Sequence, residues 1–231
     1  MTEARWLRTG AVAGILFVVL LVVAQFVAAS PGPKDSTSTI VTFYLHNKTA
    51  ALWSAYAGMA AAVALLLFVA AVYSVLQRSE DQSSVVSTVA LGAGIALMPI
   101  ILVSSSFSVA LAWSGAQSGD PAVARALFDL GNATLIFSDL VIAIFLAAAS
   151  LAVLRTRILP RWLAWIGLLG AALLLAGTAS LFNPGRSFGG APGLLLYLIW
   201  VIATSILLLH KARQIGQAEA LPAQQPSAAL G

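Results

Sequence analysis

Cysteine is absent from the 231-residue chain. Disulfides, thiolate metal sites and cysteine nucleophiles are thereby excluded. Histidine occurs only twice, at His46 and His210. A histidine-rich zinc hydrolase needs three ligands, so that chemistry is excluded too. Charge is scarce: Asp, Glu, Lys and Arg make up 9% of the residues, against about 25% in an ordinary soluble domain. A glycine-rich phosphate loop is also missing. These gaps leave no metal centre or cofactor site to expect, and they remove most enzyme templates.

What fills the chain instead is apolar residues, at 60%. They gather into six stretches: Thr9–Ala29, Ala50–Leu76, Val85–Trp113, Ala133–Leu154, Trp162–Phe182 and Gly193–Leu209. Each is near or above the roughly 17–25 residues that a helix needs to cross a bilayer. Backbone groups in lipid must pair within their own segment or within a closed barrel. The runs are continuous rather than alternating, which excludes the barrel. The expected fold is an all-α bundle of six transmembrane helices over residues 1–211, with a disordered tail over 212–231. A cleaved signal peptide, ending at Val27-Ala28-Ala29, is the competing reading of the first stretch. Its apolar run is longer than the roughly 7–15 residues of a signal core, which favours a retained helix.

The net charge of +4 does not point to nucleic acid, because the cations are scattered at helix ends and form no stripe. They set orientation instead. Arg5, Arg8, Arg78, Arg155, Arg157, Arg161, Lys211 and Arg213 fall on the side of the N-terminus, and Lys34, Lys48, Arg125 and Arg186 on the other. The positive-inside bias therefore places both termini in the cytoplasm. Trp6, Trp162 and Trp165 fit as inner interface anchors, and Trp53 and Trp113 as outer ones.

Loops are marked by their punctuation. Pro31-Gly32-Pro33 ends the first helix, and from Ser36 the pattern allows a helix running into the second stretch. In the outer loop, Asp120 suits an N-cap, Pro121 the first helical position and Gly131 the position after the end. The pattern predicts a short amphipathic helix over 120–131 on the membrane surface, with Val123, Leu127 and Leu130 on its apolar face. Asn183-Pro184-Gly185 breaks the fifth helix, and Pro99 interrupts the third. Small residues at spacing four (Ser54, Gly58 and Ala62; Gly92 and Ala96) mark expected packing faces. A three-plus-three inverted repeat, a common transporter signature, is not evident.

Asp139 is the only charged residue inside the six stretches. An ionised acid at membrane depth costs at least a few kcal/mol unless it is paired or hydrated. It is expected to face the bundle interior, beside Ser104 or Ser108 of the third helix. Polar side chains concentrate in the outer halves of the helices. The candidate pocket therefore comprises Asp139, Ser104, Ser108, Asn132, Ser138, His46, Tyr56 and Ser180. Two readings stay open. The bland one is interhelical hydrogen bonding, and the sharper one is an outward vestibule that takes a ligand, proton or ion. One intramembrane acid is too few for an aspartyl protease, and a serine hydrolase needs a base near its nucleophile, whereas no histidine lies within a membrane segment. The expected role is non-enzymatic binding of a lipid, small ligand or protein partner on the outer face. A proton-coupled carrier using Asp139 is the alternative, and an intramembrane enzyme a second one.

Two segments add a resemblance. Phe43-Tyr44-Leu45-His46-Asn47 precedes the second helix, and Leu159-Pro160-Arg161-Trp162-Leu163-Ala164-Trp165-Ile166-Gly167 enters the fifth. With the six-helix layout, they are similar to a family of uncharacterised bacterial integral membrane proteins classed only as a domain of unknown function. The resemblance implies six helices in a bacterial plasma membrane. It supplies no substrate and no catalytic residue.

Overall fold

The computed structural model describes residues 3–27, 30–78, 85–118, 120–179 and 190–220. Seven helices account for almost all of them: α1 (Glu3–Val27), α2 (Thr37–His46), α3 (Lys48–Gln77), α4 (Val85–Ala110), α5 (Pro121–Thr156), α6 (Arg161–Thr178) and α7 (Gly190–Ala220). No strand occurs among the described residues. Six of the helices are long and apolar enough to cross a membrane, α2 being the exception.

The six long helices close into a ring. α1 packs on α3, α3 on α4, α4 on α5, α5 on α6, α6 on α7, and α7 returns to α1. Gly216 of α7 lies against Ala4 of α1, and Arg78 at the end of α3 pairs with Glu3. Both terminal helices therefore meet at one end of the ring, called here the N-terminal face; the other is the distal face. Exposed Trp162 and Trp165 mark the N-terminal face, and exposed Trp53, Tyr56 and Trp113 the distal one. These are the two aromatic belts of a membrane-spanning bundle.

The axis of the ring is filled. Phe17, Phe68, Phe145, Tyr197 and Trp200 come from four different helices, and none is more than 1% exposed. Their rings meet edge to face, with centroids 5.7 Å apart for Phe145–Trp200 and 6.0 Å apart for Phe17–Tyr197. That geometry aligns a positive ring edge with a negative ring face.

Several boundaries differ from the sequence expectation. Asp120 caps α5 as predicted, its side chain accepting from the Ala122 N–H at 2.8 Å. The helix does not stop at Gly131, however. It runs unbroken to Thr156, so 120–131 is the start of the fourth spanning helix and not a separate surface helix. Its apolar face also differs. Val123 and Leu130 are exposed, while Ala124 and Phe128 are buried with Ile40, Tyr44 and Leu111 in a small second core. Packing against α2 and α4 holds this end of the helix together, where a lipid surface was expected to.

Helix α2 is separate from α3. Ser36 caps it, accepting from the Thr39 N–H at 3.2 Å, and it ends at Asn47, one residue before α3 begins. Pro99 lies inside α4 without ending it. α4 passes at its distal end into one π-helical turn, Leu111–Gly115. α7 continues past Lys211 to Ala220, so the first part of the expected tail is helical. The Val27-Ala28-Ala29 junction, the polar loop over 79–84, the turn Asn183-Pro184-Gly185 and the tail beyond 220 lie wholly or partly outside the described residues.

Candidate functional site

Helix length decides where a site forms. α5 has 36 residues and α6 has 18, or roughly 54 Å and 27 Å at 1.5 Å per residue. A short turn joins them at the N-terminal face, so α5 overshoots α6 at the distal face by about half its own length. The overshoot packs on the distal end of α4, and α2 lies against both. A cavity of about 100 Å³ opens where these three elements meet.

Its walls combine two chemistries. Phe107, Leu111, Leu127, Phe128 and Leu135 supply apolar surface, while Ser30, Tyr44, Ser104, Ser108 and Asn132 supply hydroxyls and one amide. The Tyr44 phenol is hydrogen-bonded to Ser108 and to Ser30. Burial pushes its pKa above the ordinary value, and the two hydrogen bonds pull in the opposite direction. It therefore stays a neutral group near neutral pH. Asn132 donates its Nδ2 to the Phe128 carbonyl at 2.9 Å, an intrahelical bond that leaves the amide oxygen free to accept. Among the described residues, no Asp, Glu, Lys, Arg or His lines the cavity.

The loop before α2 forms one rim, and Arg125 of α5 clamps it. Its guanidinium donates to the carbonyls of Pro33 and Asp35, each at 2.9 Å, while Nε pairs with Asp129 at 2.9 Å. One fork thus ties two backbone acceptors to a single helix turn.

Three of the expected site residues come together here: Ser104, Ser108 and Asn132. Ser138 is buried nearby on α5 and donates to the Leu135 carbonyl at 2.6 Å. The others lie apart. His46 is exposed, with Nδ1 against the Thr42 carbonyl of its own helix at 2.8 Å. Tyr56 is 61% exposed and stacks edge-on against Trp53 in the distal aromatic belt. Ser180 lies outside the described residues. Asp139 is not among the cavity-lining residues. It is half-buried and faces α7, where its Oδ2 would stand 3.5 Å from a Cβ placed on Gly190. The expected place beside Ser104 or Ser108 supposed a fourth helix beginning at Ala133, whereas α5 begins at Pro121. The packing of Gly131 on Phe107 sets the true register, which carries Asp139 roughly one and a half turns beyond Ser104 and two and a half beyond Ser108.

Tyr44 and Ser30 are polar wall residues that the sequence did not single out. Tyr44 stands in the segment Phe43–Asn47, but a tyrosine on a short helix before the second stretch carries no signal that it turns inward. The polar residues near the distal face divide between roles. Ser54 donates across to the Ala24 carbonyl of α1 at 2.7 Å, a plain interhelical tie, while Ser104 and Ser108 line the cavity.

This arrangement defines an all-α, multi-pass membrane protein whose distal pocket is uncharged. Residues 12–218 match the family described as Domain of unknown function (DUF4386), and the chain belongs to that family. No curated protein and no solved structure matches it.

Proposed function

We propose that this protein sits in a bacterial plasma membrane with both termini cytoplasmic, and that it binds a small neutral ligand in the distal pocket without transforming it. The observation that carries this reading is the pocket itself: five polar side chains and five large apolar ones around a cavity of about 100 Å³, with no carboxylate, imidazole or cation among the described lining residues. That volume has room for several waters. It suits a small alcohol or amide, or the neutral head of a larger amphiphile entering from the outer leaflet. The absence of charge favours a neutral guest, because a buried unpaired ion would have no counter-charge. Nor do the lining hydroxyls have the adjacent base that a serine nucleophile requires.

The test is a thermal-shift screen of the purified protein with short alcohols, amides and monoacylglycerols. A hit should stabilise the unaltered chain and lose its effect in Ser108→Phe, which fills the cavity. Binding should also be flat between about pH 5 and pH 9, since no wall group titrates there. A hit whose effect survives Ser108→Phe, or falls away on the acid side, contradicts this reading.

Asp139, at membrane depth against α7, favours a second reading as a proton-coupled carrier. The aromatic cluster on the ring axis weighs against it, because any axial path must displace five buried rings. Uptake into proteoliposomes that is lost in Asp139→Asn would establish the carrier.

A further inference from the structure

The turn between α5 and α6 holds a second feature, at the opposite face from the pocket. Arg155 stands in the last turn of α5, Arg157 just beyond it, and Arg161 opens α6; all three are exposed. Among the described residues the ion pairs are Glu3–Arg78 and Arg125–Asp129, and neither engages this cluster. The turn is also anchored to the core. Leu159 is buried in the main core, Ile158 packs on that core, and Pro160 leads into α6.

Arg157 has φ 54° and ψ 21°, the only non-glycine residue with positive φ among the described residues. Its N–H closes the helix on the Val153 carbonyl at 2.9 Å. Glycine is the usual occupant of this left-handed position, because a Cβ is penalised there. The chain carries a long cation at a place where its backbone favours the smallest residue. The turn therefore presents three cations in a fixed frame and tolerates strain to present the middle one.

Lipid-facing surface lies directly beside them. Trp162, Trp165 and Leu169 fall on one stripe of α6 and are 49%, 64% and 55% exposed. Cations at the headgroup level above an aromatic and aliphatic stripe match the two halves of an anionic phospholipid. The phosphate meets guanidinium groups, which pair with phosphate oxygens in bidentate fashion, and the acyl chain lies along the stripe.

We propose that the α5–α6 turn is a binding site for an anionic phospholipid, with Arg155, Arg157 and Arg161 holding the headgroup and Trp162, Trp165 and Leu169 flanking an acyl chain. This site is independent of the distal pocket and of its ligand.

The experiment uses the full chain in nanodiscs of phosphatidylcholine, with and without phosphatidylglycerol. It reads the melting temperature, and native mass spectrometry after extraction reads the retained lipid. Phosphatidylglycerol should raise the melting temperature and be retained over phosphatidylcholine. Both preferences should vanish in R155Q/R157Q/R161Q and persist in R5Q/R8Q, which removes charge elsewhere on the same face. Affinity should fall by about a hundredfold in the triple variant, as expected for three cations near a lipid surface. Should the triple variant not fold, two further measurements decide. Salt at 1 M, where the Debye length is about 3 Å, should abolish the phosphatidylglycerol shift in the unaltered chain. Arg157→Gly should raise the melting temperature in phosphatidylcholine alone, by relieving the backbone, yet weaken phosphatidylglycerol retention. Equal stabilisation by both lipids, or a phosphatidylglycerol preference that survives high salt and Arg157→Gly, overturns the proposal.

Discussion

Among the described residues, five buried side-chain atoms have no hydrogen-bond partner: Ser150 Oγ, Tyr197 OH, Trp200 Nε1, Thr204 Oγ1 and Ser205 Oγ. Tyr197, Trp200 and Thr204 follow one another along one face of α7, toward the filled ring axis. A buried hydroxyl without a partner costs roughly 1–3 kcal/mol. Thr204→Val replaces that hydroxyl by a methyl of the same shape, so it should leave the protein as stable or up to about 1 kcal/mol more stable. Denaturation in mild detergent, followed by tryptophan emission, would measure this, and a clear loss of stability would mean that Thr204 has a partner. Gly14 makes the opposite case. A Cβ there would press into the Phe68 ring and Ser205 Oγ. Gly14→Ala should therefore destabilise by about 1–3 kcal/mol through overpacking, despite the better helix propensity of alanine; an unchanged melting temperature would refute the close approach of α1 to α3. Such positions were only partly legible in the sequence. Gly58 does approach Ser105, at 3.3 Å from its Cβ position, but Gly92 faces open space, while other glycines, Gly10, Gly14, Gly94 and Gly167 among them, make tighter contacts. Spacing four marks a helix face, and it does not say which face meets a neighbour.

At the scale of elements, existence was easy to read and extent was not. The six apolar runs correspond to the six long helices, because hydrocarbon demands that length and composition. Glycine and polar residues near the distal face blurred the ends. Gly131 passed for a helix stop, although packing against α4 keeps α5 helical through it. The pocket depended on that error, since the overshoot of α5 creates it. Tyr44 could not be assigned for a related reason: α2 has only ten residues, and its inward face is fixed by tertiary packing. The structure makes α2 a wall of the pocket held by two devices, the Tyr44 hydrogen bonds and the Arg125 clamp. Tyr44→Phe should cost about 1 kcal/mol, and Arg125→Ala should cost more, because two carbonyls and Asp129 lose one donor together. Hydrogen exchange over residues 30–46 would show both, with faster exchange in Arg125→Ala and near-unchanged exchange over α6. Identical protection of α2 in both variants would show that apolar packing alone seats it.

As a whole molecule, the protein is a closed ring of six spanning helices with a plugged axis, an uncharged pocket at the distal face and an arginine-rich turn at the other. Orientation joins these features, because the account requires the pocket to open outside the cell and the arginines to lie in the cytoplasm. The cysteine-free chain allows a direct measurement: single-cysteine variants treated in intact cells with a small membrane-impermeant thiol reagent. Ser108→Cys should react from outside, with protection by a bound ligand, while Arg157→Cys should react only after the membrane is permeabilised. Reaction of Arg157→Cys in intact cells, or a Ser108→Cys that reacts only after permeabilisation or not at all, would contradict the account.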